Sequence, residues 1–343
     1  MATQPDARAA LDRLPRVTLA QLPTPVELLP NLTRALGGPA LFIKRDDQTG
    51  LATGGNKTRK LEFLVAEALG AGADTLITAG STQSNHARQT AAAAARRGLA
   101  CHLVLYAPDG IAPREITGNL LINHLLGATI HWTEERAPYA ATLARVEAAV
   151  RAAGGRPHLI PYGGSNALGV AAYASAFLEL ADQMAGGPDP AAPFDAVVFA
   201  TSSGGTQAGL LLGAQIAGLA GATALHGVSV DQPRAGFAPR VEALLRDGAA
   251  LLGAEVPAGP EIIIDDRHLG GGYAVVGEPE REAIHLMARH EGILVDPVYT
   301  GRALAGLIDA IRRGEWRRGQ RVLFWHTGGA AALFAFGDAL NIG

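Results

Sequence analysis

The stretch DTLITAGSTQSNHARQTAAAAA (74–95) decides the fold. It opens on a short apolar run, DTLITA (74–79), passes through a turn of small polar residues, and continues into an alanine-rich helix former over 85–97. Six further runs of the strand kind lie around it: LFIK (41–44), CHLVLY (101–106), ATIHW (128–132), AVVFA (196–200), LHGVSV (225–230) and RVLFWH (321–326). Helical patterns fill the gaps at 57–70, 139–152, 166–184, 206–219, 279–291 and 301–313. This βαβα rhythm predicts an α/β fold with parallel-rich twisted sheets covered by helices on both faces. No repeat of fixed period is present, and AGGPDPAAP (185–193) reads as a linker. In such sheets ligands sit at the carboxyl ends of strands, so the strand-to-helix turns are where chemistry belongs.

The 343 residues, 48% of them hydrophobic, are enough for two lobes with sizeable cores. A formal net charge of −3 gives no electrostatic reason to expect nucleic acid or an anionic membrane surface as partner. Met1 to Pro25 carries Asp6, Arg8, Asp12, Arg13 and several prolines, without the apolar core of a secretory signal. The single cysteine, Cys101, has no partner for an internal disulfide and reads as a buried strand residue. A cytoplasmic protein is expected. The apolar stretch Ala208 to Leu225 approaches membrane-span length, but Gly209, Gly213, Gly218 and Gly221 interrupt it. A helix against a sheet, then a turn and a strand, is the expectation there. The ten histidines form no HExxH or carboxylate cluster, so no metal site is expected.

Lysine usage is the sharpest compositional signal. Lys44, Lys57 and Lys60 stand among 29 basic residues, and the other 26 are arginines. Unlike guanidinium, an ammonium can give up its proton under mild conditions. Lys57 and Lys60 fall in TGLATGGNKTRKLEF (49–63), on one face of a helix start behind Gly54 and Gly55. A phosphate-binding P-loop does not fit, because Asn56 stands between Gly55 and Lys57. A helix N-terminus disfavours a cation and so favours a neutral, nucleophilic amine, although two solvated lysines would give the same local pattern. In TAGSTQSNHARQT (78–90), Ser84 and Asn85 sit where exposed N–H groups could meet a carboxylate, or where Ser84 is an ordinary cap. In ATSSGGTQAGL (200–210), Ser203, Gly204, Gly205 and Thr206 suit a small anion such as a phosphate monoester. No G-x-G-x-x-G occurs, which argues against a dinucleotide fold. Later turns add Tyr273 in LGGGYAV (269–275), Tyr299 and Thr300 in DPVYTG (296–301), and Thr327 in FWHTGGA (324–330). Each threonine could offer a hydroxyl to a ring nitrogen, although alone each of these turns suits a structural tyrosine or a helix cap better.

Together these segments resemble the D-cysteine desulfhydrase and 1-aminocyclopropane-1-carboxylate deaminase family of fold-type II pyridoxal-phosphate enzymes, similar to the tryptophan synthase β subunit. The resemblance runs from LPTPVELLP (22–30) to HTGGAAALFAF (326–336), with GGNKTRKLEF and QSNHARQTAAAAA its most specific parts. It implies a larger domain from 1–57 and 165–343, a smaller inserted domain at 58–164, and a homodimer. It implies pyridoxal 5'-phosphate as cofactor, a Schiff base on Lys57, and Lys60 at the phosphate with the 203–206 cradle. Ser84 would sit beside the substrate carboxylate, Asn85 beside the cofactor's phenolic oxygen, Tyr299 against the pyridine ring and Tyr273 near the substrate. The deaminases carry Glu and Leu where this chain has Thr300 and Thr327, the desulfhydrase pattern. A hydroxyl supports a charged ring nitrogen less than a carboxylate does, which suits β-elimination of a good leaving group better than ring opening. The expected reaction turns D-cysteine, a small amino-acid substrate, into pyruvate, hydrogen sulfide and ammonia. L-cysteate sulfo-lyase and cyclopropane deaminase activities are the alternatives within this resemblance, and a protein that only binds the cofactor is the alternative outside it.

Overall fold

The first half of the chain alternates strands and helices around two different sheets. In the computed structural model, which describes residues 4–186, 193–256 and 261–340, it runs α1 (Gln4–Asp12), β1 (Val26–Leu28), α2 (Pro30–Leu36), β2 (Ala40–Arg45), α3 (Asn56–Gly70), β3 (Thr75–Ser81) and α4 (Asn85–Arg97). There follow β4 (Ala100–Tyr106), α5 (Gly118–Leu125), β5 (Thr129–Thr133), α6 (Ala140–Ala152), β6 (Pro157–Leu159) and α7 (Ala167–Ala185). The second half holds β7 (Ala196–Thr201), α8 (Gly205–Ile216), β8 (Ala224–Ser229), α9 (Arg234–Leu252), β9 (Ile263–Asp265), α10 (Glu278–Glu291), α11 (Thr300–Arg312) and β10 (Arg321–His326).

Six strands form one sheet in the order β1-β2-β10-β7-β8-β9, and four form a second in the order β5-β4-β3-β6. Among the described residues only the β1–β2 pair is antiparallel. The strands read as continuous apolar runs because helices cover both faces: β7 and β10 are buried along nearly their whole length. Each fully buried Leu, Val or Phe there contributes roughly 1.5–3 kcal/mol relative to exposure.

All seven strands expected from sequence are present, together with the seven helices. The sequence reading left out β1, β6 and β9, each three residues long and too short to show a period. It also left out α1, α2 and α5, all shorter than ten residues, and α9, whose nineteen residues contain Pro239 and follow Pro233 at the N-cap. Of the linker expected at 185–193, residues 187–192 lie outside the described residues. The apolar stretch 208–225 is a helix, a turn and the start of β8, as expected, and among the described residues no helix is long and apolar enough to cross a membrane. The two glycines inside α8 have a packing reason. A Cβ on Gly209 would stand 2.3 Å from the Cβ of Tyr173, and one on Gly213 would stand 2.7 Å from the carbonyl oxygen of Ala174, so α8 lies directly on α7.

Candidate active site

Three strand-to-helix turns and one strand end open onto a single cleft. β3 delivers Ser81, then Ser84 as N-cap of α4; β7 delivers Thr201, then the 202–204 turn into α8; β10 ends at His326, just before Thr327; and the turn after β6 brings Tyr162 and Gly163. Lys57 comes from the first turn of α3. Gly54 and Gly55 make that entry possible. Gly54 has φ +71°, and a Cβ there would lie 2.0 Å from the carbonyl oxygen of Asp47.

Of the residues singled out in the sequence, Lys57, Ser84, Asn85, Ser203, Gly204, Thr206, Tyr273, Tyr299 and Thr327 line this cleft. Lys60 and Gly205 stand behind the wall: a Cβ on Gly205 would lie 3.0 Å from Lys60 Nζ. Lys60 is buried and donates to the Gly163 carbonyl (3.2 Å) and to Ser165 Oγ (3.4 Å). Thr300 is not part of the wall, which corrects the expectation that it offers its hydroxyl to a ring. It opens α11 and folds back on the preceding loop, donating from Oγ1 to Asp296 Oδ1 (2.6 Å) and accepting from the Asp296 amide (2.8 Å). Thr327 keeps its side chain at the cleft while its carbonyl accepts from Asn56 N at 2.9 Å.

The electrostatics favour anions. Among the described residues lining the cleft there is no Asp or Glu, while the N-termini of α3, α4, α8 and α11 carry the lining residues Asn56, Lys57, Ser84, Asn85, Gly204, Thr206 and Tyr299. Lys57 Nζ donates to the Gly163 carbonyl at 3.1 Å, and burial lowers its pKa to about 8. Burial also holds Lys60 well below the usual amine range, helped by the charges of Lys57 and Arg240. Burial, Lys57 and Lys60 together keep His86 neutral; its Nε2 pairs with Thr78 Oγ1 at 2.9 Å. Ser84 Oγ accepts from Ala87 N (3.1 Å), the ordinary capping bond, and still has its own hydrogen to donate into the cleft. Opposite, the hydroxyls of Tyr273 and Tyr299 lie 2.5 Å apart, and Tyr273 also meets Ser81 Oγ at 3.2 Å. Burial raises both phenols, so the pair holds its protons at neutral pH.

Sequence reasoning passed over Ser81, His86, Tyr162, Gly163 and Ser202. The glycine pair of PYGGSN (161–166) ahead of a helix was the available signal, hidden because β6 is so short. Behind Ser202 sits Asp231, which accepts its hydroxyl at 2.8 Å and is raised by burial against that bond.

The chain matches the family model described as pyridoxal-phosphate dependent enzyme over residues 17–328. It is 45% identical over 328 residues to a D-cysteine desulfhydrase of Klebsiella pneumoniae subsp. pneumoniae, covering 95% of this chain and 97% of that one. A crystal structure described as an ACC deaminase homologue superimposes with a TM-score of 0.86 at 36% identity, over 98% of both chains. The cleft suits such a cofactor on its own terms. A Cβ on Gly163 would lie 2.4 Å from Ser203 Oγ, closing a cradle that here stays open between two lysines and a helix N-terminus, with no acidic side chain among the described lining residues.

Proposed function

The chain belongs to the pyridoxal-phosphate-dependent enzyme family, and from that premise we propose that it is a carbon–sulfur lyase converting D-cysteine to pyruvate, hydrogen sulfide and ammonia. One observation carries the reading: a cleft whose described lining has no acidic side chain, with Lys57 on its wall, occurs in a chain 45% identical to a D-cysteine desulfhydrase over 95% of its length.

Pyridoxal 5'-phosphate, when bound, supplies an electrophilic carbon for amines and a conjugated ring that accepts the electrons left by a departing Cα proton. In our reading Lys57 Nζ is the amine that would hold it, and the same atom would take up the substrate's Cα proton. A desolvated amine suits both tasks, because about a tenth of it is neutral at pH 7, against well under a thousandth for a free lysine. The N–H groups of α8 and Ser203, Gly204, Gly205 and Thr206 would hold the phosphate, with the Lys60 amine behind them. Ser84 and the first turn of α4 hold the substrate carboxylate, and Asn85 meets the phenolic oxygen. Thr327 is the hydroxyl for the ring nitrogen, since Thr300 is tied to Asp296. Tyr299 would pack against the cofactor, and the Tyr273–Tyr299 pair would hold a proton for the leaving sulfur.

The same proposal takes residues 58–164 as the smaller domain, supported by a sheet, β3 to β6, that lies wholly within them. It also takes the protein as a homodimer, supported by Leu121 and Leu125, one turn apart on α5 and both exposed. A cytoplasmic location belongs to it too, in keeping with Cys101 being the one cysteine and buried. The test is incubation of the purified holoenzyme with D-cysteine, L-cysteate or the cyclopropane amino acid. Sulfide and pyruvate in equal amounts from D-cysteine are expected; 2-oxobutyrate from the cyclopropane substrate, or sulfite from L-cysteate, as the main product would refute it.

A further inference from the structure

The amide of Asn85 has two ends, and what decides which end faces the cleft lies outside the cleft wall. Asn119, one residue into α5 and fully buried, donates from Nδ2 to the carbonyl oxygen of Gln83 at 2.9 Å and to Asn85 Oδ1 at 2.8 Å. A backbone carbonyl only accepts, so it fixes Nδ2 as the atom of Asn119 that faces the 83–85 turn. That nitrogen has two hydrogens, and both are used. Asn85 must therefore turn its oxygen to α5, which leaves its own Nδ2 as the donor toward the cleft that Asn85 lines. The turn and the helix are strapped in the other direction as well. Gln83 Oε1 accepts from Asn119 N (2.8 Å), and Gln83 Nε2 donates to the Thr117 carbonyl (3.1 Å). Asn119 Oδ1 is buried without a partner among the described residues, a cost the fold carries while both N–H groups stay aimed.

We propose that Asn119 is a positioning residue that holds Asn85 as a hydrogen-bond donor to the phenolic oxygen of bound pyridoxal phosphate; this rests on the reading of Asn85 given above. Asn119→Asp keeps the shape but replaces the donor with an acceptor, so Asn85 must invert or lose its partner. Asn119→Ala removes the donor without adding charge.

The experiment removes the coenzyme from each purified holoenzyme, titrates pyridoxal phosphate back, and records affinity, the absorption spectrum of the bound coenzyme and the melting temperature of the coenzyme-free protein. For both Asn119 variants the coenzyme affinity is expected to fall roughly tenfold or more. The absorption maximum is expected to move in the direction seen in Asn85→Ala, with the Asn85→Ala, Asn119→Ala double variant no worse than Asn85→Ala alone. Unchanged affinity and spectrum in both Asn119 variants, with Asn85→Ala shifted, would overturn the proposal and leave the role of Asn85 standing. An unshifted Asn85→Ala would overturn that role and the proposal with it. A fall in melting temperature with an unmoved spectrum would make Asn119 structural only, which also overturns it.

Discussion

Two groups of buried cations sit within a few residues of each other on α3 and β2, and they are held in opposite ways. Lys44 Nζ donates to Glu179 Oε1 (2.6 Å), the Thr24 carbonyl (2.7 Å) and Gln183 Oε1 (2.7 Å), which uses all three of its hydrogens. Arg59, two residues after Lys57, is clasped by Asp46 and Glu179. Asp46 is fully buried and also accepts from Thr24, Tyr173 (2.7 Å) and Trp325 (2.8 Å). Burial alone would raise its pKa, but the charge and hydrogen bonds of Arg59 more than offset this and leave it below the usual carboxylate range. Across the helix, Lys57 and Lys60 share one carbonyl, that of Gly163, and neither has a carboxylate partner among the described residues. Burial still lowers the pKa of Lys44, but Glu179 and Asp46 offset part of it, and the group makes a fixed ionic joint between β2, α3, α7 and β10. Burial without such an offset gives a reactive amine. The chain uses its few lysines only inside: Lys57 on the cleft wall, Lys60 behind it and Lys44 in the joint.

The sharpest way to break this contrast is to remove the uncompensated amine. Lys57→Ala is expected to lower sulfide release from D-cysteine by at least about a thousandfold while the chain still folds, as measured by sulfide assay beside circular dichroism. The compensated side should respond in stability instead. Asp46→Ala strands Arg59 against Glu179 alone and is expected to cost about 3–5 kcal/mol in urea unfolding, with the folded fraction keeping the coenzyme's visible absorption.

The pH dependence of loading separates the two kinds of lysine. Coenzyme must attach to a neutral amine, so the rate at which coenzyme-free protein takes up pyridoxal phosphate should rise about tenfold per unit at low pH and level off above about 8. The sign on stability is the same. Because the folded amine loses its proton near 8 and the unfolded one near its ordinary value of 10.5, the unfolded chain holds more protons between them. The coenzyme-free protein should therefore gain stability as pH rises through that window. A loading midpoint above about 10 would mean that Lys57 is paired as firmly as an ordinary surface lysine is solvated. The smallest effect belongs to Tyr173→Phe, which deletes one of the bonds to Asp46 and should cost about 1 kcal/mol in the same unfolding assay without changing the loading profile.

Much of this was legible in the residues. DTLITA and AVVFA announced strands buried on both faces, and the turns after them announced helix N-termini ready for anions. The scarcity of lysine pointed at Lys57 before any geometry did. What the sequence hid was mostly a matter of length and distance. β6 spans three residues, so the Tyr162–Gly163 turn behind it carried no visible strand signal. The roles of Thr300 and Thr327 were indistinguishable as bare hydroxyls, and only the backbone return to Asp296 separates them. The joint around Asp46 is built from residues up to 279 positions apart, as in the Trp325 bond, and no local pattern marks such a pairing.

The measurement closest to the central claim is to reduce the holoenzyme with borohydride, digest it and map the coenzyme by peptide mass. With three lysines in the chain, the outcome is discrete. The account predicts the pyridoxyl group on Lys57 in full, with Lys44 and Lys60 unmodified; coenzyme fixed on Lys60 or Lys44, or on no lysine at all, would contradict it.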